Sequence, residues 1–213
     1  MQRTERYTKE HVESSQYGFR KGRGTEECII KASKSIEKMR KSSNFTAAIS
    51  LDIQGAFDHL LWKCVMEVLS KYGVPYHLRR MYASYFRERS VYFASATRKI
   101  NRGCPQGSVV GPFLWNLGYN LILTWLKYAW IKHYCYADDT LLLLTSASEA
   151  ELKKRVCDII TKMSRRMSNL GLLWENENTR VQEDWHCITY SFLIARRMQG
   201  HVQQNAEIPR CDP

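Results

Sequence analysis

The segment YCYADDTLLLL, residues 134–144, places two adjacent carboxylates between two apolar runs. Apolar runs separated by a short polar centre predict a β-hairpin. Hairpin turns normally use residues suited to unusual backbone geometry, but the centre from Ala137 to Thr140 has no glycine and carries two charges. Two acids at a hairpin tip repel each other unless a cation neutralises them. The pair therefore indicates either an ordinary surface turn, which is the commoner case, or a metal-binding site.

A third acid favours the metal-binding interpretation. The run FTAAISLDI, residues 45–53, predicts a buried strand that delivers Asp52 close to its end. A hard cation such as Mg²⁺ prefers oxygen ligands and commonly binds one or two carboxylates together with substrate phosphates. If the strand lies beside the hairpin, Asp52, Asp138 and Asp139 could hold two Mg²⁺ ions, or Mn²⁺ in their place, for phosphoryl transfer.

The charge balance indicates the kind of partner. The chain of 213 residues has a formal net charge of +11, and its 32 lysines and arginines are spread over many segments. This distribution predicts a polyanionic partner such as nucleic acid, although a generic basic surface would have the same composition. The seven cysteines lie far apart without a C-x-x-C pair, and there is no apparent secretory signal, which predicts reduced thiols and an intracellular protein, nuclear or cytoplasmic.

One uncharged span could be mistaken for a membrane segment. Residues 109–126, VVGPFLWNLGYNLILTWL, approach the length of a transmembrane helix. Gly111 and Pro112 resemble a helix start, and Asn116 and Asn120 interrupt the apolar surface. We therefore predict a buried core helix and no membrane contact.

Hydrophobic periodicity predicts the other elements. Helices are expected at 25–40, 57–72, 75–86 and 148–170, and a strand at 90–94. The last helix should begin with a capping box formed by Ser148 and Glu151 and should end at Gly171. Beyond about residue 180 no sustained period is present.

Several separate motifs share a resemblance. They are QYGFRKGRGTEECI (16–29), SLDIQGAFDHL (50–60), GCPQGSVVGPFLWN (103–116), YADD (136–139) and GLLWENENT (171–179). In this order and spacing they resemble successive blocks of a reverse transcriptase of LINE-type (non-LTR) retrotransposons. The resemblance covers roughly residues 14–180.

The resemblance implies roles for individual residues. Asp52, Asp138 and Asp139 match the metal-binding aspartates of the family, and Phe57 matches the aromatic residue that excludes a 2′-hydroxyl from the incoming nucleotide. Gln106 and Gly107 match the P-Q-G loop near that nucleotide. The residues implied to contact template or primer are Arg20, Lys21, Arg23 and Tyr136. A simple turn before a helix would also explain the P-Q-G loop, and a core aromatic would also explain Phe57.

The resemblance also implies a fold and a reaction. The fold is α+β: a right-hand polymerase palm at residues 45–180, made of an antiparallel sheet packed on helices, with partial fingers at 1–44, no evident thumb and an unassigned tail at 181–213. The reaction is RNA-directed DNA synthesis, with an RNA template, a DNA primer and deoxynucleoside triphosphates as partners. An inactive nucleic-acid-binding remnant is the alternative, because Asn178 replaces a lysine usual in the family. An RNA-dependent RNA polymerase shares the palm, but Phe57 argues against it.

Overall fold

A computed structural model describes residues 1–42, 45–93, 95–105, 107–174 and 180–184. Its helices are α1 (Gln2–Thr8), α2 (Thr25–Ser42), α3 (Ala56–His59), α4 (Trp62–Lys71), α5 (Tyr76–Phe86), α6 (Gly111–Tyr128) and α7 (Glu149–Asn169). Its strands are β1 (Phe45–Leu51), β2 (Ile53–Gln54), β3 (Ser90–Phe93), β4 (Ala96–Lys99), β5 (Lys132–Tyr136), β6 (Asp139–Ser146), β7 (Leu173–Trp174) and β8 (Arg180–Asp184).

An antiparallel sheet in the order β5-β6-β1-β8 forms the centre of the fold. Successive side chains of a strand point to opposite faces, so each strand serves two layers. One face, with Ile49 and Leu142, joins the main core beneath α6 and α7. The other face, with Ala48 and Leu143, packs against Ile36 of α2. The predicted α+β class, the predicted hairpin and the predicted helix at 25–40 are confirmed.

The uncharged span forms α6, and most of this helix is buried in the core. Its Leu114, Trp115 and Leu117 are fully buried. The prediction of a core helix is therefore confirmed. Among the described residues, no helix has both the length and the apolar character needed to cross a membrane.

The predicted helix at 57–72 is wrong in one respect, because the chain bends at Leu60 and Leu61. Helix α3 ends at His59 and α4 begins at Trp62. The carbonyl of Leu60 accepts a hydrogen bond from Gly103 N at 2.8 Å, and the N–H of Leu61 donates to Leu170 O at 3.0 Å. Because distant segments bond these backbone groups, they are not available to a continuous helix.

The helix predicted at 148–170 is present as α7. Ser148 Oγ accepts from Glu151 N at 3.3 Å, as a capping residue does, and Gly171 follows the helix with φ of +79°. The reciprocal half of the capping box differs, because the Glu151 carboxylate accepts from Ser146 Oγ at 2.5 Å. The helix predicted at 75–86 is also confirmed, as α5.

Several elements were not predicted. They include helix α1 at the N-terminus and the strands β4, β7 and β8. Strand β4 pairs with β3 in a separate two-stranded sheet, so the strand predicted at 90–94 is half of a hairpin. Four of the five cysteines in the described part of the chain are buried, and all five are free thiols.

Candidate active site

The tip of the β5–β6 hairpin carries the acidic pair. Tyr136 pairs with Asp139, so Ala137 and Asp138 form the two-residue turn. Ala137 has φ of +58°. A residue with a side chain adopts this left-handed conformation at a cost of roughly 1–2 kcal/mol. Hydrogen bonds from other segments are therefore needed to hold the turn in place.

Gln16 supplies those hydrogen bonds. Its side chain is fully buried, its Nε2 donates to Ala137 O at 2.9 Å, and its Oε1 accepts from Ala137 N at 3.1 Å. The same Oε1 accepts from Gly18 N at 3.0 Å. Trp115 of α6 also donates, from Nε1 to Ala137 O at 3.0 Å. Both backbone groups of the strained residue are thus satisfied from outside the hairpin.

The segment that contains Gln16 runs along the edge of β5. Tyr17 N donates to Cys135 O at 2.8 Å, and Cys135 N donates to Ser15 O at 2.9 Å. A Cβ atom on Gly18 would lie 2.2 Å from Ala137 N, a separation that no real contact shows. Only glycine therefore allows this segment to lie so close to the acidic turn.

Strand β1 brings the third acid to the same edge. Leu51 is opposite Thr140 in the antiparallel register. In sequence, Asp52 directly follows Leu51, and Asp139 directly precedes Thr140. By strand alternation, Asp139 lies on the same face of the sheet as Leu143. The structure therefore places Asp52, directly after β1, at the same end of the sheet as the turn that carries Asp138 and Asp139.

The donor set suits a hard divalent cation. Within the described ranges, no three His, Cys, Asp or Glu side chains are gathered into a ready metal-binding group. Magnesium usually keeps several waters and binds one or two carboxylates plus substrate phosphates, so it does not require a closed protein cage. Asp52, Asp138 and Asp139 therefore fit Mg²⁺ chemically as ligands of an open site.

Two side chains near the acids, Tyr119 and Cys28, are uncharged at neutral pH. Tyr119 is completely buried, which raises the pKa of its phenol well above the usual range, and the charges of Asp138 and Asp139 raise it further. Its hydroxyl lies 2.7 Å from Thr140 Oγ1. Burial, followed by the charges of Glu27 and Asp139, raises the pKa of the Cys28 thiol to about 12. Both groups are uncharged at neutral pH and add no charge to the acidic site.

Phe57 lies on α3 and connects to the turn through one ring. Its ring centroid is 5.0 Å from that of Trp115 and 5.8 Å from that of Phe19. Because Trp115 also donates to Ala137 O, a single side chain contacts both the predicted sugar-selecting residue and the acidic turn. The predicted roles of Phe57 and of Tyr136, which is half-buried beside Asp139, remain predictions.

The P-Q-G loop is fixed against the backbone of α3. Cys104 N donates to Phe57 O at 2.5 Å. Pro105 O accepts from Ser108 Oγ at 2.8 Å, which closes the turn before α6. Gly107 has φ of +76°, and a Cβ atom there would meet open space. Gln106 lies outside the described residues, as does Asn178.

The three basic residues of the first motif differ in their surroundings. Arg20 donates to Glu13 O at 2.8 Å, and Arg23 lies 5.0 Å from the centroid of the Tyr17 ring, while Lys21 is exposed. Burial, and secondarily the charge of Arg23, lowers the pKa of Arg20. All three line a cavity of about 310 Å³ between α1 and the start of α6. Arg20 and Arg23 thus also hold their own loop, a role that the sequence did not indicate.

Sequence reasoning missed two further residues that position the turn, Gln16 and Trp115. Each lies inside a motif that carried the resemblance, the first in QYGFRKG and the second in GPFLWN. An isolated glutamine or tryptophan has no local pattern that indicates such a role. Only the motifs themselves could have drawn attention to these positions.

Comparison with known proteins identifies the family. The sequence model of the family described as reverse transcriptase (RNA-dependent DNA polymerase) matches residues 1–190. A putative 115 kDa protein in the type-1 retrotransposable element R1DM of Drosophila melanogaster is 29% identical over 150 residues, which are 68% of this chain and 14% of that protein. The RNA-directed DNA polymerase from mobile element jockey of the same species is 29% identical over 143 residues, 62% of this chain and 16% of that protein.

Solved structures share the fold. Telomerase from Candida tropicalis, in complex with a fragment of telomeric RNA, superimposes with a TM-score of 0.65 over 86% of this chain and 33% of that chain, at 12% identity. Telomerase from Candida albicans gives a TM-score of 0.60 over 86% of this chain and 34% of that chain, also at 12% identity. The predicted polymerase palm and the resemblance to LINE-type elements are confirmed. The chain spans about one seventh of the R1DM protein, and it belongs to the reverse transcriptase family.

Proposed function

We propose that this chain catalyses RNA-directed DNA synthesis, adding deoxynucleotides to the 3′-hydroxyl of a DNA primer on an RNA template. The observation that carries the proposal is the β1–β6 register, which ends at Leu51 opposite Thr140, so that Asp52 follows β1 at the end of the sheet where Asp138 and Asp139 lie. The family, its retrotransposon relatives and the net charge of +11 support it. The palm would extend over residues 45–180, with part of the fingers at 1–44.

Different residues of the chain would carry out different parts of the proposed reaction. Asp52, Asp138 and Asp139 would hold two Mg²⁺ ions, for which Mn²⁺ could substitute. Bound there, the metal would favour ionisation of the primer hydroxyl and would neutralise charge on the transferred phosphate. Gln16 and Trp115 keep the turn in one conformation, so that the acids need little rearrangement when substrate binds.

Helix α3 and the P-Q-G loop would select the substrate. Phe57 would lie against the sugar and exclude a 2′-hydroxyl, while Gln106 and Gly107 would lie along the nucleotide. The left-handed backbone and open surroundings of Gly107 support close approach of a ligand. Arg20, Lys21 and Arg23 would contact phosphates of the template or primer, and Tyr136 would support the primer end.

Primer extension tests the proposal. The purified chain would be given an RNA template, a labelled DNA primer, deoxynucleotides and Mg²⁺. Asp138→Asn removes one charged ligand, and we expect extension to fall by at least about a hundredfold. The matched control is Asp158→Asn on the exposed face of α7, which should extend at the wild-type rate.

Two results would decide against the proposal. If Asp138→Asn extended the primer at the wild-type rate, the acidic pair would have no role in catalysis. A folded wild-type chain that binds RNA but never extends a primer would support the inactive nucleic-acid-binding remnant instead. Circular dichroism of each variant would show that the fold is retained.

A further inference from the structure

The β3–β4 hairpin exposes aromatic rings for which the proposed chemistry has no use. All of its described strand residues are exposed, and the exposed fractions of Tyr92 and Phe93 are 73% and 79%. It forms a two-stranded sheet separate from the central one. An isolated hairpin is only marginally stable in water, so exposed rings at its tip are better explained by contact with a partner.

The base of this hairpin is fixed to the body of the protein. Ile100 N donates to Arg89 O at 2.9 Å, and the Arg89 guanidinium lies 4.6 Å from the centroid of the Tyr85 ring. Just beyond the hairpin, Trp62 Nε1 donates to Gly103 O at 2.6 Å. The hairpin therefore projects from the body of the protein beside the loop that leads to the candidate active site.

The strand register places one ring and one cation on each face. Tyr92 is opposite Thr97, with Lys99 diagonal to it on the same face. On the other face, Arg98 is opposite Val91 and diagonal to Phe93. Diagonal neighbours of this kind lie roughly 7–8 Å apart, within reach of long side chains. Each face therefore pairs a flat apolar surface with a positive charge.

The charge of the segment selects the class of partner. Residues 87–102 contain five basic residues and one acid, Glu88, for a net charge of +4. Rings that stack on bases, beside cations that bind phosphates, are the combination that proteins use for single-stranded nucleic acid. An apolar protein partner would leave these cations buried and unpaired, at a cost in free energy.

We infer that the β3–β4 hairpin is a binding platform for single-stranded RNA, on which bases stack against Tyr92 and Phe93 while Arg98 and Lys99 bind the phosphates. The choice of RNA over single-stranded DNA rests on the proposed function. The binding surface itself rests on the exposure, the register and the charge of the hairpin.

Fluorescence anisotropy with a labelled single-stranded RNA of mixed sequence would test the rings. Tyr92→Ala should weaken binding about tenfold, because base stacking on an aromatic side chain contributes strongly to affinity. Tyr128→Ala is the matched control, since Tyr128 is 76% exposed at the end of α6. It should change affinity less than twofold, and Tyr92→Phe, which keeps the ring, should bind like the wild type.

Salt dependence separates the rings from the cations. The double variant Arg98→Gln, Lys99→Gln should reduce the slope of log affinity against log salt by about 1.4, at roughly 0.7 for each lost phosphate contact. Tyr92→Ala with Phe93→Ala should lower affinity and leave that slope unchanged. Unchanged RNA affinity in this ring double variant would overturn the inference and assign the rings to a protein partner instead.

A final comparison distinguishes this inference from the proposed function. The wild-type chain and the hairpin variants would each be assayed both for binding of single-stranded RNA and for primer extension. Hairpin-dependent RNA binding without primer extension would refute the polymerase proposal alone. Primer extension with hairpin-independent RNA binding would refute the platform alone. A DNA strand of the same sequence, used as a competitor, tests the choice of RNA, and preferential binding of DNA would overturn that choice.

Discussion

Two hairpins in the described part of the chain differ in their burial and in their partners. The β5–β6 hairpin lies in the central sheet, and its strained turn at Ala137 is bonded by Gln16 and Trp115. The β3–β4 hairpin pairs only with itself and exposes Tyr92 and Phe93. The β5–β6 hairpin holds the acidic pair in a fixed position. The β3–β4 hairpin exposes aromatic rings and cations to solvent, where a partner can contact them. Burial and external hydrogen bonds thus distinguish the candidate active site, while exposure distinguishes the proposed contact surface.

The largest expected effect contrasts the stability that each hairpin provides. Leu142 of β6 is fully buried, so Leu142→Ala should lower the free energy of unfolding by about 2–5 kcal/mol. Tyr92→Ala should change it by no more than about 0.5 kcal/mol, because the ring is mostly exposed. Urea denaturation of both variants measures the difference. Equal losses would mean that the two hairpins are not distinguished by burial.

A smaller effect concerns the bonds that hold the acidic turn. Gln16→Ala leaves Ala137 N without its buried acceptor and should cost about 1–3 kcal/mol of unfolding free energy. Primer extension should fall as well, because the turn loses its support. Gln2→Ala, on an exposed position of α1, is the control and should alter neither quantity. Full extension by a stable Gln16→Ala protein would show that the turn needs no such support.

The smallest expected effect is a pH dependence of the free energy of unfolding, caused by His133 at the end of β5 remote from the acidic turn. Burial lowers the pKa of His133 below its usual 6.5, and its Nδ1 donates to Ile131 O at 2.7 Å. Its buried Nε2 has no partner among the described residues, so a proton added there would find no acceptor. The unfolded chain therefore binds more protons than the folded one below pH 6.5. The stabilisation is present above pH 6.5 and is lost as the pH falls through the folded pKa.

Urea denaturation between pH 7.5 and 5 measures this dependence. His133→Phe should show a flatter fall in unfolding free energy than the wild type, since the titrating group is gone. His77→Phe is the control, because His77 is exposed on α5. If His133→Phe keeps the full pH dependence of the wild type, the buried hairpin is not the source of it.

Local patterns predicted much of the fold. Hydrophobic period and capping residues located α2, α5, α6 and α7, because each of these helices has a continuous apolar face and ends that signal their position. The same reasoning failed at Leu60 and Leu61, where the apolar face continues but the helix does not. Backbone bonds from Gly103 and to Leu170 cause the bend, and no local pattern encodes such partners.

The candidate site was predictable in its acids but not in its supports. An acidic pair between two apolar runs, and an aspartate at a strand end, are visible in the sequence as unusual local chemistry. The support of the turn is not visible, because Gln16 contacts Ala137 across 121 positions of the chain. Likewise, the isolated hairpin depends on the pairing of β4 with β3, which no local pattern indicates.

The sequence by itself determined the composition of the site: three aspartates, the motifs around them and the positive charge of the chain. Only the tertiary structure decided that Asp52 and Asp139 lie on the same edge, that Gln16 holds the acidic turn, and that Tyr92 and Phe93 project from the surface. The physical reason is the range of the forces involved. Periodicity and capping act within a few residues, whereas strand pairing and burial join parts of the chain that only folding brings together.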